Sequence, residues 1–93
     1  MKELEGKYYR IGLTRIHVKR ASRKLLEGKD HLILTGEQYK LGEDYIKWTE
    51  DDTLILPSSV LSEMHEIREN DFKFILCERL LDLMKRKVYE EGR

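Results

Sequence analysis

Residues 17–28 read HVKRASRKLLEG, and they decide the fold that the sequence predicts. Apolar and charged residues in this stretch separate at helical spacing, and Gly28 stands where a helix commonly ends in a left-handed residue. We therefore predict an early basic helix over about residues 17–27. Its apolar side would hold Val18, Ala21, Ser22 and Leu25, and its charged side would hold Arg20, Arg23, Lys24 and Glu27.

Strands are predicted on either side of this helix. Tyr9 and Ile11 alternate with polar neighbours, which indicates a half-buried strand over about residues 7–13. The apolar positions change parity after Thr14, as they do at a bulge or at a turn into a helix. Further along, the pattern predicts a short strand over 31–34, a turn at 35–36, and a hairpin with strands 45–48 and 53–56 around a loop at 49–52.

The C-terminal third is predicted to be helical. Pro57 closes the second hairpin strand, and Ser58 or Ser59 is a suitable N-cap for the helix that follows. Asp71 would cap a last helix that continues to about residue 90. A single bent helix over 59–90 fits the same pattern.

Together these elements predict one α+β domain over residues 1–93. It would contain a small antiparallel sheet of three to four strands, the early basic helix, and two C-terminal helices packed on one face. Residues 1–57 would hold the strands and the basic helix, and residues 58–90 would be helical. The longest apolar run, residues 74–77, is far shorter than the roughly 20 residues of a membrane span. The N-terminus lacks the apolar region of a signal peptide, so we predict a cytoplasmic protein.

The composition is that of a heat-adapted protein. Charged residues make up 39% of the chain, while Gln38 and Asn70 are the only carboxamides and Cys77 is the only cysteine. Many charges with few thermolabile side chains are typical of thermophiles, in which ion pairs are less costly to desolvate. A single cysteine also excludes an intramolecular disulfide, and we interpret Cys77 as a small buried apolar residue.

No motif in the sequence predicts catalysis, a metal or a cofactor. The histidines His17, His31 and His65 lie far apart, without the spacing of a zinc site. The glycines lack the spacing of a phosphate-binding loop. We therefore interpret the chain as a binding protein and predict no catalytic residue. An enzyme whose site is assembled from distant residues is the third alternative.

The basic segment over residues 15–29, in which six Lys and Arg residues lie close together, is the main candidate site. Cations at this spacing can each neutralise a phosphate and release counterions, which predicts nucleic-acid binding. Aromatic rings beside cations can stack on unpaired bases. The alternative is a solvated, ion-paired face, although acids are nearly absent from residues 10–26. The candidate nucleic-acid-binding residues are Arg15, Lys19, Arg20, Arg23, Lys24, Tyr8 and Tyr9.

The formal net charge of zero conceals a segregation of charge along the chain. Residues 1–30 carry a net charge of +5, residues 31–70 carry −6, and residues 71–93 carry +1. The basic block could therefore also dock on the acidic block of another copy, or on an acidic protein.

The last predicted helix offers an alternative function. Apolar residues there step at the three-four spacing of a coiled-coil seam. This seam predicts an assembly or adaptor protein that forms a homodimer. The candidate interface residues are Phe74, Leu81, Met84 and Val88, with Cys77 at the same spacing.

Overall fold

The chain forms a five-stranded antiparallel sheet, so the fold is mostly β and the predicted helix-rich α+β fold is wrong. The structure is a computed structural model that describes residues 1–43, 45–74, 77, 81, 84 and 85. The order of strands across the sheet is β4-β3-β2-β1-β5. The strands are Tyr8–Ile11 (β1), Thr14–Leu26 (β2), Lys29–Leu41 (β3), Ile46–Pro57 (β4) and His65–Ile67 (β5).

Two tight turns build the first three strands into consecutive hairpins. Gly12 and Leu13 connect β1 to β2, and Gly12 has a φ of +58°. Glu27 and Gly28 connect β2 to β3, with φ values of +53° and +77°. The first turn has a positive φ at the first of its two central residues, and the second turn has a positive φ at both. Both geometries match the twist of paired strands. Gly28 is therefore half of a hairpin turn, and its predicted role as a helix C-cap is wrong.

The predicted basic helix over 17–27 is wrong because these residues belong to β2. From Thr14 to Leu26, every residue of β2 except Lys19 pairs with β3. The spacing of Val18 and Ala21 fits a helix turn, but it also fits a strand in which one extra residue shifts the parity. Pairing along a 13-residue strand outweighs the modest helix preference of this segment.

That extra residue is Lys19, which forms a β-bulge. Val18 pairs with Gly36 and Arg20 pairs with Thr35, so the register shifts by one residue between them. A second shift, on the other side of Gly36, leaves an extra residue in β4. A Cβ on Gly36 would overlap the backbone carbonyl of His17, so only glycine fits between the two bulges.

The predictions for the middle of the chain placed breaks where strands continue. The predicted turn at 35–36 lies inside β3, which extends the predicted strand 31–34 in both directions. The predicted hairpin over 45–56 is a single strand, β4, and the polar residues 49–52 contain its bulge, at Glu50 and Asp51, instead of forming a loop. β4 lies at the edge of the sheet, where charged residues and bulges are well tolerated.

A buried glutamine holds the β4 bulge in place. Gln38 is fully buried, and its Nε2 donates to the carbonyl oxygen of Asp52 over 2.9 Å. The Oδ1 of Asp52 in turn accepts the backbone N–H of Thr53 over 2.8 Å. These bonds satisfy backbone groups that the irregular ladder leaves unpaired.

The first of the two predicted C-terminal helices, and the single bent helix over 59–90, are also wrong. Residues Ser58–Ser62 form a 3-10 turn, and β5 follows and pairs with β1. Residues 69–74 are helical, and so are the described positions 77, 81, 84 and 85. The rest of the predicted last helix lies outside the described residues. The described part of the chain includes no helix with the length and hydropathy of a membrane span.

The two faces of the sheet have different environments. One face, here called the core face, carries the buried cluster and is covered by the 3-10 turn that holds Val60. The opposite face, here called the outer face, carries Tyr8, His17 and Arg20. The buried residues of the core face are Tyr9, Ile16, Val18, Leu32 and Leu34.

The close approach at Gly36 gives a direct test of the register. Gly36→Ala should lower the free energy of unfolding by about 2–3 kcal/mol, because the new methyl group overlaps backbone that cannot rotate away. Urea unfolding measures the change. Gly28→Asn is the control, and it should cost less than about 1 kcal/mol because asparagine tolerates the left-handed region. A Gly36→Ala protein as stable as the parent would contradict this register.

Candidate functional site

A row of cationic and aromatic residues crosses the outer face at one end of the sheet. The strand register places one residue from each strand in this row, and neighbouring members are direct cross-strand partners. Side chains that are directly opposite lie close enough to interact. In the order β5, β1, β2, β3, β4, the row consists of His65, Arg10, Arg15, Tyr39 and Trp48.

Arg15 is the most enclosed cation of this row. Its Nη1 donates to the carbonyl oxygens of Gly12 and Thr14, over 2.9 and 3.3 Å. Its Nε is buried and has no hydrogen-bond partner in the structure. Burial lowers the pKa of the guanidinium, and the nearby charge of Arg10 lowers it further. Arg15 therefore supports the hairpin turn and brings positive charge to the surface.

A cluster of rings fills the next row along the sheet. Tyr8 stacks on His17 with 4.1 Å between ring centroids and an interplanar angle of 10°. Phe72, on the helix, packs over β1, β2 and β3, with its ring centroid 5.1 Å from that of Tyr8 and 5.1 Å from that of Tyr39. Phe72 is only 1% exposed, so it fixes the helix to the outer face.

The tyrosines named in the sequence as candidate stacking residues are occupied by packing. Tyr9 is 6% exposed and lies in the core, so its ring offers no surface to a ligand. Tyr8 is held between His17 and Phe72. Burial raises the pKa of Tyr9, and burial followed by the charge of Glu69 raises the pKa of Tyr8. The stacking role predicted for Tyr8 and Tyr9 therefore has no support in this packing.

The candidate cations are divided between the two faces of the sheet. Because β2 is a strand, Arg20 and Lys24 lie on the outer face and Arg23 lies on the opposite side. The helical arrangement that would have placed all three together is therefore absent. Arg23 forms an ion pair with Asp30, and Lys19 lies 4.0 Å from Asp51.

Arg20 and Lys24 remain unpaired within the described part of the chain. Their cross-strand partners on β3 are Thr35 and His31, so no carboxylate lies directly opposite either cation. Both side chains are exposed. This part of the outer face therefore presents two exposed cations.

Acidic residues gather on the β4 side of the same face. A groove of about 300 Å³ lies beside the bulges, and its lining carries charges of both signs. Its cationic and acidic groups can neutralise one another, which gives the groove no strong preference for an anion. The lining residues are Gly6, His17, Val18, Lys19, Glu37 and Glu50.

Trp48 is a site residue that the sequence reasoning missed. Its side chain is 51% exposed, and its Nε1 donates to Oε2 of Glu37 over 3.2 Å. This bond holds the only tryptophan of the chain in one orientation on the surface, at the β4 end of the row of cationic and aromatic residues. The available signal was a large ring between Lys47 and Thr49 in a polar strand segment, which is unusual for a core residue.

The predicted dimer seam is exposed where the structure describes it. Phe74, Leu81 and Met84 are 61%, 56% and 62% exposed, and all three positions are helical. Cys77 is also exposed, so the interpretation of it as a buried residue is wrong. Val88 lies outside the described residues. The interface role of the seam stays a prediction.

The described residues provide no group of three or more histidine, cysteine, aspartate or glutamate side chains placed to hold a metal ion. Comparisons with models of protein families, with curated proteins and with solved structures found no match to this chain. Function is therefore inferred from the placement of charged and aromatic side chains on the outer face.

The packing of the helix on the outer face can be tested with two neighbouring phenylalanines. Phe72→Ala should lower the free energy of unfolding by about 3 kcal/mol, because it leaves a cavity over Tyr8 and Tyr39. Phe74→Ala is the matched control and should cost less than about 1 kcal/mol, since that ring is exposed. Thermal and urea unfolding measure both changes. Equal losses for the two variants would show that the helix is not held by Phe72.

Proposed function

We propose that the protein is a cytoplasmic, non-enzymatic nucleic-acid-binding protein that uses the outer face of its sheet. The observation that carries this proposal is the set of cations that the strand register brings to this face. We call this set the cationic band. Its members are Arg10, Arg15, Arg20 and Lys24.

The band supports phosphate binding because its members are available to a ligand. Arg10, Arg20 and Lys24 are exposed and form no ion pair among the described residues. Arg15 is half-buried and donates to backbone carbonyls through one terminal nitrogen, which leaves its other terminal nitrogen for a phosphate. Each cation that replaces a counterion on the nucleic acid adds salt-dependent affinity.

The acids of β4 limit the path of the ligand. Glu50 and Asp51 lie at the bulge on this side, and Asp51 is close to Lys19. A phosphate chain is repelled from this region, so it should follow β1 and β2 instead of β3 and β4. Lys19 and Arg23, both paired with acids, are consequently not included in the band.

The proposal predicts that binding depends on one face only. Replacing Arg10, Arg20 and Lys24 together with glutamine should weaken binding to labelled oligonucleotides. It should also reduce the slope of log affinity against log salt by about 2 for single strands, since each lost phosphate contact contributes about 0.7. Fluorescence anisotropy at several salt concentrations measures both effects. Because these side chains are exposed, their replacement should leave the fold intact, which an unchanged circular dichroism spectrum would show.

The opposite face provides a control with the same change of charge. Arg23, Lys40 and Lys47 lie on that face, and their replacement by glutamine removes three positive charges as well. This variant should retain the slope of the parent protein. Equal weakening by both triple variants would mean that only net charge matters, and the proposed face would be wrong.

Self-association is a second candidate function, and the exposed seam favours it. Phe74, Leu81 and Met84 are large apolar side chains, more than half exposed, at the spacing of a coiled-coil stripe. Exposed apolar residues in a continuous stripe are typical of an interface between proteins. We propose a homodimer through this seam as the alternative, with an acidic protein partner as a further possibility for the basic block.

Light scattering tests the seam. Leu81→Lys should reduce the measured mass from that of a dimer to that of a monomer, because a charge would be buried at the interface. Leu25→Lys is the control, since Leu25 is 71% exposed on the sheet and outside the seam. A Leu81→Lys protein that keeps the mass of the parent would contradict this interface.

A further inference from the structure

We infer that the nucleic acid bound by the outer face is single-stranded and that one of its unpaired bases stacks on Trp48. This inference rests on the proposed function, because it assigns the class of ligand to the same face. It adds a recognition element that acts on bases, whereas the cationic band acts only on phosphates.

The first support is the position of Trp48 relative to the cations. Trp48, Tyr39 and Arg15 are successive cross-strand neighbours on the outer face. Adjacent strands lie about 4.8 Å apart, so Trp48 stands about 10 Å from Arg15. A flexible single strand can place a phosphate at Arg15 and an adjacent base at Trp48 over this distance.

The second support is the orientation of the ring. The bond from Nε1 of Trp48 to Glu37 fixes one edge of the indole, while half of the side chain remains exposed. A fixed ring loses little conformational freedom when a base stacks on it. Tyr39, the neighbouring aromatic residue, instead packs against Phe72. Trp48 is thus the ring of this row that is both held in place and accessible.

The third support is the distribution of charge around Trp48. Glu37 lies beside the ring and Glu50 follows it in β4, so this end of the row repels phosphates. A base carries no charge and is not repelled. In a duplex the bases are paired and stacked, with the phosphates outside, so their faces cannot reach the indole. The arrangement therefore favours a strand whose backbone stays on the cations and whose base turns toward β4.

The fluorescence of Trp48 tests the inference directly, because it is the only tryptophan in the chain. The probes are a single-stranded RNA of about 12 nucleotides, an abasic strand of the same length and charge, and the corresponding duplex. Anisotropy of a label on each probe reports binding, and quenching of the indole reports stacking. We expect the single strand to quench the fluorescence, and the abasic strand and the duplex to bind without quenching.

Three substitutions complete the test. Trp48→Leu should reduce affinity for the single strand about tenfold and leave affinity for the abasic strand unchanged, as expected for one lost stacking contact. Trp48→Phe should restore part of the loss. Tyr45→Leu is the matched control, since Tyr45 is 60% exposed and precedes β4, and it should leave affinity unchanged.

The outcomes separate the inference from the proposal on which it rests. Binding of all three probes without quenching, with equal affinities for the parent and Trp48→Leu proteins, would overturn the inference and leave the cationic band in place. The absence of binding to any probe at low salt would overturn both. Quenching by an added protein but by no oligonucleotide would assign Trp48 to a protein interface, which also overturns the inference.

Discussion

The close backbone contact at Gly36 is the constraint on which the rest of the structure depends. Strand β3 approaches the central strand β2 at His17 so closely that no side chain fits between them. Both neighbouring strands change register at this position, through the extra residue Lys19 in β2 and another in β4. A bulge changes which face each later residue of the strand occupies. Gly36 thus sets the assignment of side chains to faces for much of the sheet.

The assignment of faces decides where the charges lie. Without the bulge at Lys19, Arg20 and Lys24 would share the face of Val18, which is fully buried. The shift instead brings Ala21 to the core face and moves the two cations to the outer face. On the β4 side, Gln38 fixes the bulge that carries the acids. The two bulges therefore place Ala21 in the core, Arg20 and Lys24 in the cationic band and the acids at its border, although these residues belong to different parts of the sequence.

The sequence allowed the residues of several strands to be identified but not their pairing. The strand predicted over about 7–13 is present as β1, over Tyr8–Ile11, since alternation in a short half-buried strand is a local pattern. Pro57 ends β4, because proline cannot continue the ladder. The helix predicted over 17–27 failed because a bulged strand and a helix turn both place residues three apart on one side. Only the pairing of this segment with β3, for example of Arg23 with Leu32, distinguishes the bulged strand from a helix.

The candidate site was predictable only in part, for the same reason. The cations of β2 were identified from their clustering in the sequence, yet their faces depend on the bulge at Lys19, which the parity change after Thr14 did not locate. Trp48 was missed because its relation to Arg15 exists only through the cross-strand register. This relation also bears on selectivity. Since the chain has no net charge, it cannot steer a polyanion over long distances, and screening limits each exposed charge to about 10 Å at 0.1 M salt. For the proposed nucleic-acid ligand, recognition would then depend on contacts made within that range, which favours a strand able to bend from the cations of β2 to the indole of β4.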